Sequence, residues 1–304
     1  MANNSAQTIP AGYNDAVSVP DPDPSVLLIC VKYGADEETA QYLESVRRLR
    51  GQRGLQLLVV DNKSDGKIAS MATGRNCNVV RAPENLGYFG GARHGLSLYL
   101  ERNTLPDWVI ISNVDLAISD PKFLINLAKL EPMAPVGAVA PSIRSTLTGK
   151  EQNPFMRVRP SPLRMHIYKW LFRNWLALNA YELASAAFHK VMSAIRHRQP
   201  SFSDSNQVLR ETIYAPHGSF LILSRKYFDR GGDLQFPGFL FGEEIYIAES
   251  MRRLGLEVVY EPALKILHQE HRSTKLFRSR KMAAHVASSA AYCAEKFFPL
   301  HSRA

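Results

Sequence analysis

The chain predicts an α/β protein with a mostly parallel central sheet flanked by helices. Three observations carry that expectation. Unbroken apolar runs, VLLICV at 26–31, LQLLVV at 55–60 and WVIIS at 108–112, read as strands covered on both faces. Segments with helical spacing alternate with them, as in crossover units. The 304 residues, 45% hydrophobic and 21% charged, supply a sizeable core and exclude collagen, a coiled-coil rod and general disorder.

Residues 1–24 are rich in Asn, Asp, Pro and Ala and lack an apolar h-region, so they read as a disordered tail, not a signal peptide. The strand at 26–31 leads into a helix over 37–50. Tyr42, Leu43, Val46 and Leu49 form its apolar side, and Arg47, Arg48 and Arg50 sit near the end that the helix dipole makes negative. Gly51 and Gly54 stop it. After the strand at 55–60 come a short strand at Val79–Val80, a Gly-rich loop, a helix from Gly91 to Arg102 and the strand at 108–112. Residues 132–162, rich in Pro and Gly, are expected to be irregular. Helix is expected over 163–198, in one or two segments, and strand over 213–223 with a polar interruption. A helix at 243–253, the strand LEVVYEP and a helix at 282–298 able to support an interface complete the chain. No repeat is visible, and no window of 18 uncharged apolar residues could span a membrane. Cys30, Cys77 and Cys293, odd in number and far apart, fit neither a disulfide framework nor a zinc pattern. They point to a reducing, cytoplasmic setting.

Charge is concentrated. Thirty-seven Lys and Arg against 28 Asp and Glu give +9, yet residues 157–198 alone carry net +7 and residues 265–281 net +5. The remainder is therefore close to −3. A locally basic surface on a mildly acidic protein points to an anionic partner.

Polar residues beyond strand ends are the candidates for chemistry, because ligands of open α/β sheets bind there. Asp61 ends a buried strand; it suits a hydrogen bond to a nucleobase or ribose, or a turn cap. ENLGYFGGARHG at 84–95 leads glycines into a helix, letting backbone approach a phosphate, though it matches neither the dinucleotide nor the P-loop pattern. In SNVDL, Asn113 and Asp115 share a face if extended, as two hard donors for Mg²⁺ or Mn²⁺ would, or as an Asx turn would. Glu243 and Glu244 open a helix closed by Arg252 and Arg253; the dipole alone favours that order, and a general base at a rigid helix mouth is the other reading. His268 follows the last strand.

The ordered set VVDNKSD at 59–65, ENLGYFGG at 84–91, SNVD at 112–115, HGSFLILSRKYFDRGG at 217–232, FLFGEE at 239–244 and PALKILH at 262–268 resembles family 2 glycosyltransferases, in their rhamnosyltransferase-like branch. The resemblance covers about residues 25–274. It implies a GT-A fold and inverting transfer from a nucleotide-diphosphate sugar, as in bacterial surface polysaccharide assembly. By that resemblance Asp61 contacts the base, and Asn85, Gly87 and Asn113 line the nucleotide-sugar pocket. Asp115 and His268 hold a divalent metal, Mg or Mn, and Glu244, or its neighbour Glu243, is the base. The sequence departs from the family in Asn113, where an acid is usual, and in Glu243–Glu244 for a Glu-Asp pair. Lys32 and Arg93 stand where Asn is common, able to meet phosphate or simply solvent.

The implied organisation is a 1–24 tail, a 25–274 GT-A domain with a basic helical insert at 157–210, and a 275–304 helical extension. The insert mixes Trp170, Phe172 and Trp175 with Arg164, Lys169 and Arg173. A peripheral contact at the inner membrane face, suiting a lipid-linked saccharide acceptor, is one reading of it; a packed subdomain with a solvated basic face is the other. A nucleotidyltransferase would need a basic Gly-rich loop after the first strand, which is absent. A nucleic-acid partner would leave the Asn113–Asp115, Glu243–Glu244 and His268 set without purpose, so none is expected.

Overall fold

β1 (Val26–Lys32) and β2 (Leu55–Asp61) pair in parallel, from Val26 opposite Leu55 to Lys32 opposite Asp61. β3 (Cys77–Arg81) and β4 (Trp108–Ser112) extend the parallel ladder on either side. Alternate side chains of a strand face opposite ways, so β1 feeds two cores. Leu27, Ile29 and Val31 pack with Phe89 and Ala92 of α2 (Gly87–Leu100); Val26, Leu28 and Cys30 pack with Tyr42, Leu43 and Val46 of α1 (Asp36–Arg47) and with α3 (Phe123–Ala128). The computed structural model describes residues 25–63, 76–130, 135–196, 209–269 and 279–300. The expected tail at 1–24 and parts of both basic stretches lie outside the described residues.

Beyond β4 the ladder changes sense. β8 (Phe220–Ser224) runs antiparallel to β4, and β6 (Val136–Ser145) antiparallel to β8. β9 (Glu257–His268) is parallel to β6 and carries β5 (Leu116–Ile118) and β7 (Glu211–Ile213), both antiparallel. The order is β3-β2-β1-β4-β8-β6-β9-β5, with β7 also on β9. The parallel run expected from the alternation is thus confined to β3-β2-β1-β4; four of the eight pairings are antiparallel.

One expectation fails outright. Residues 136–145, placed in an irregular stretch, form a strand of ten residues. Gly137 and Pro141 disguise it, and the structure explains both. A Cβ on Gly137 would come within 2.4 Å of Met251 Sδ, and Pro141 sits where the register against β9 shifts.

The basic insert forms two helices, α4 (Pro162–Phe172) and α5 (Trp175–Arg196), and α4 packs on α8 (Arg280–Phe297). Ser161 caps α4, its Oγ accepting from Arg164 N, with Pro162 next. Arg159 ties the start of the insert down. Its Nε donates to Glu249 Oε1 on α7 (Glu243–Arg253) at 2.6 Å, Nη2 donates to Phe297 O at 2.9 Å, and the guanidinium lies 4.2 Å over Phe298. Burial would raise the Glu249 carboxyl, but hydrogen bonds from Arg159, Tyr214 and Arg252 outweigh it and hold it below its ordinary value. A short helix, α6 (Arg225–Asp229), follows β8. Among the described residues no helix is long and apolar enough to cross a membrane.

Candidate active site

Two cavities open beyond the strand ends, of about 330 and 510 Å³. They share Tyr88, Asn113 and Leu240, and so adjoin.

The smaller is built on the parallel strands. Val31 and Tyr33 at the end of β1, Asn62 after β2 and Asn113 after β4 line it with Asn85 and Gly87. Asn85 Oδ1 accepts from Gly87 N at 3.1 Å, folding the turn that starts α2. Gly87 has φ of +74°, and a Cβ there would meet Phe239 O at 2.2 Å, so only glycine fits. Asn62 spans beneath the turn, donating from Nδ2 to Gly87 O at 2.8 Å. Its Oδ1 is buried without a hydrogen-bond partner.

The larger cavity collects the ionisable groups. Asn113, Asp115, Glu243, Glu244 and His268 all line it. Phe241 and Gly242, both at positive φ, turn the chain into α7 so that Glu243 and Glu244 stand at its first turn. A non-glycine residue held there is strain that the surrounding packing sustains, a pattern common at functional sites. Gly218 leaves room for Glu244, since a Cβ would approach Glu244 Oε1 to 2.6 Å. Burial foremost, then the charge of Glu244, pushes the Glu243 carboxyl up to about 8. Burial raises Glu244 as well, against backbone N–H groups, its own and those of Gly218 and Gly242, that draw it back. Two neighbouring carboxyls in a desolvated mouth cannot both ionise easily, so one retains a proton near neutrality.

Asp115 and His268 meet through the sheet. Leu116 of β5 pairs with His268 at the end of β9, and Asp115 Oδ2 lies 3.3 Å from His268 Nε2. Gln152 Oε1 lies 2.7 Å from His268 Nδ1 and offers its proton an acceptor; with Nδ1 so protonated, the neutral ring presents the Nε2 lone pair on the side of the carboxylate. Asp115 Oδ1 is buried without a hydrogen-bond partner. An aspartate oxygen and an imidazole nitrogen so presented fit a divalent cation. Among the described residues no third His, Cys, Asp or Glu completes a cluster.

The sequence-derived residues therefore gather, with one exception. Asp115, His268, Glu243 and Glu244 share one cavity, Asn85 and Gly87 line the other, and Asn113 borders both. Asp61 lines neither. It is fully buried, 3.6 Å from Lys32 Nζ and accepting from Lys63 N, while the next residue, Asn62, reaches the cavity. Lys32 meets neither phosphate nor solvent, being buried beside Asp61 and Asp36; Arg93 is exposed on α2. Sequence reasoning missed Gln152, which the irregular stretch concealed, and His217, whose Nδ1 is 2.9 Å from Ser219 Oγ and whose ring lies 6.1 Å from that of His268. It also missed α8: Ser279, Lys281, Met282 and His285 wall the smaller cavity, and Val286, Ser289, Ala290 and Cys293 the larger.

No protein-family model matches the chain. It is 24% identical over 283 residues, 88% of its own length and 84% of the relative's, to N-acetylglucosaminyl-diphospho-decaprenol L-rhamnosyltransferase from two strains of Mycobacterium tuberculosis. Among solved structures it resembles a mannosyltransferase from Pyrobaculum calidifontis in complex with GDP-Man and Mn²⁺, with TM-score 0.50 and 14% identity over 90% of this chain and 71% of that one. It also resembles GalNAc-T7 with UDP, GalNAc and Mn²⁺, with TM-score 0.52 and 11% identity over 82% of this chain and 44% of that one. Fold and sequence likeness agree: the chain has the α/β architecture of these glycosyltransferases and is similar in sequence to a rhamnosyltransferase.

Proposed function

We propose that the chain moves L-rhamnose from a nucleoside-diphosphate donor to a hydroxyl of a saccharide carried on a lipid diphosphate, with inversion, in cell-wall polysaccharide assembly. The observation that carries this is the junction of the two cavities at Asn113: an amide-lined pocket for the nucleotide opens into one holding a carboxyl pair and an Asp–His pair. The relative's lipid-linked acceptor and rhamnosyl activity supply the substrate class.

In this reading Glu244 accepts the proton of the acceptor hydroxyl as its oxygen attacks the anomeric carbon. The bond from that carbon to the diphosphate oxygen breaks in the same step, and the nucleoside diphosphate departs. Glu243, raised by burial and by the charge of Glu244, keeps its proton and spares Glu244 a neighbouring charge. Asp115 and His268 would hold Mg²⁺ or Mn²⁺. The cation would neutralise charge on the leaving diphosphate. The Mn²⁺ of both structural neighbours supports a divalent ion. Asp61 acts from below, fixing Lys32 and the turn that presents Asn62.

The insert joins this site to a membrane surface. Met165, Tyr168 and Phe172 of α4 line the larger cavity. On another face, Leu163, Ile167 and Trp170 are 64%, 50% and 74% exposed, flanked by Arg164, Lys169 and Arg173. An apolar stripe with basic neighbours suits an anionic bilayer surface at the inner leaflet.

Incubation with a panel of nucleotide-sugars and Mg²⁺ or Mn²⁺ tests the reaction. One donor should release nucleoside diphosphate in a metal-dependent way and transfer to lipid-linked acceptor in anionic vesicles, on which the protein should float at low salt. Full transfer in excess EDTA would remove the Asp115 and His268 roles, and no flotation would end the membrane contact.

A further inference from the structure

The smaller cavity has a wall outside the sheet. Facing Asn62 and Asn85 is the first part of α8, a helix of 18 residues. Ser279 caps it, Oγ accepting from Met282 N at 3.2 Å, and lines the cavity, so the positive end of the helix dipole is directed there. Lys281 and His285, four residues apart, lie on one helix face and line the same cavity. No carboxylate does, and Lys281 has no ion-pair partner among the described residues. The His285 ring stacks on Phe239 with centroids 4.6 Å apart and 23° between planes, which fixes it, while Nε2 is buried without a partner. Opposite it Asn62, only 4% exposed, leaves Oδ1 in the same condition. Buried polar atoms without partners are scarce in folded proteins, and two on residues lining one cavity call for a polar partner there.

We propose that α8 is part of the donor site: Lys281, His285 and the helix N-terminus hold the phosphates of the nucleoside diphosphate, while Asn62 Oδ1 accepts from an N–H of its base. This rests on the reading of the smaller cavity as the donor pocket. It gives the diphosphate cationic contacts on the side away from Asp115 and His268, and gives a positive element to a pocket that the sheet lines with neutral groups alone.

Calorimetry of the purified full chain with UDP, dTDP and GDP in Mg²⁺, and with the matching nucleosides, tests it. Lys281→Glu and His285→Ala should each weaken the tightest diphosphate by about tenfold or more, and the nucleoside by no more than about threefold. Lys281 is exposed, so its charge reversal keeps the test open should His285→Ala fail to fold. Unchanged diphosphate affinity in the variants would overturn the α8 assignment while leaving the donor reading intact. Equal loss for nucleoside and diphosphate would overturn the phosphate contact. A wild-type chain that binds no diphosphate would remove the donor reading and this inference with it.

Discussion

The two halves of the sheet end in different chemistry. Parallel strands β2, β1 and β4 deliver neutral groups, Asn62, Tyr33 and Asn113, beside the Asn85–Gly87 turn, and no carboxylate lines their cavity. The mixed half delivers three, Asp115, Glu243 and Glu244, together with His217 and His268. Parallel strands present all their C-terminal ends at one edge, which suits a long ligand laid across them. Antiparallel pairing instead sets distant segments side by side, as it does Asp115 and His268, 153 positions apart. In the proposed function, holding the donor and moving the proton are thereby given to separate architecture.

Glu244→Gln is the strongest way to break this division. Loss of a general base should lower turnover by about a thousandfold, while nucleoside-diphosphate affinity, set in the other half, stays as it is. Near-normal turnover would show that the base is elsewhere. The converse substitution is Gly87→Ala, which forces a Cβ onto Phe239 O at positive φ. It should cost roughly 1–3 kcal/mol in urea unfolding and weaken donor binding. Gly149→Ala, at similar φ with nothing within 4 Å, isolates the backbone strain and should cost about 1–2 kcal/mol without touching donor affinity. Equal effects of the two on donor affinity would deny the turn its role.

The smallest effect is on pH dependence. A carboxyl whose folded pKa is raised to about 8 binds a proton in the folded chain that the unfolded chain has released above its ordinary 4.5. Stability must therefore decline as pH climbs through that window, and Glu243→Gln should flatten the decline. Transfer should instead rise with the first ionisation of the pair, the one that gives Glu244 its charge. A stability profile that Glu243→Gln leaves unaltered would mean the pair is solvated.

Much of the parallel half was legible, because strands buried on both faces are written as apolar runs and need no partner information to be recognised. Trp108–Ser112 coincides with its expected bounds, as does the helix at 243–253. The mixed half was less so. β6 contains Gly137 and Pro141, whose reasons lie in Met251 and in a register shift with β9, neither of them local. Gln152 became invisible with it, since a glutamine has meaning only beside the His268 ring it orients. Asp61 shows the limit at one-residue resolution: the strand end was right, but the side chain facing the cavity is its successor. The α8 contribution escaped because helical periodicity reveals that a face is covered, not what it covers.

Arg159 remains. One guanidinium clasps the carboxylate of Glu249 and the last carbonyl of α8 while its own chain leads straight into α4. Three elements that enclose the larger cavity are thus pinned at a common pivot, and one of them bears Glu244. The insert is in consequence joined to the helix behind the carboxyls, so that a tilt of α4 loads the same joint that sets where those carboxyls stand.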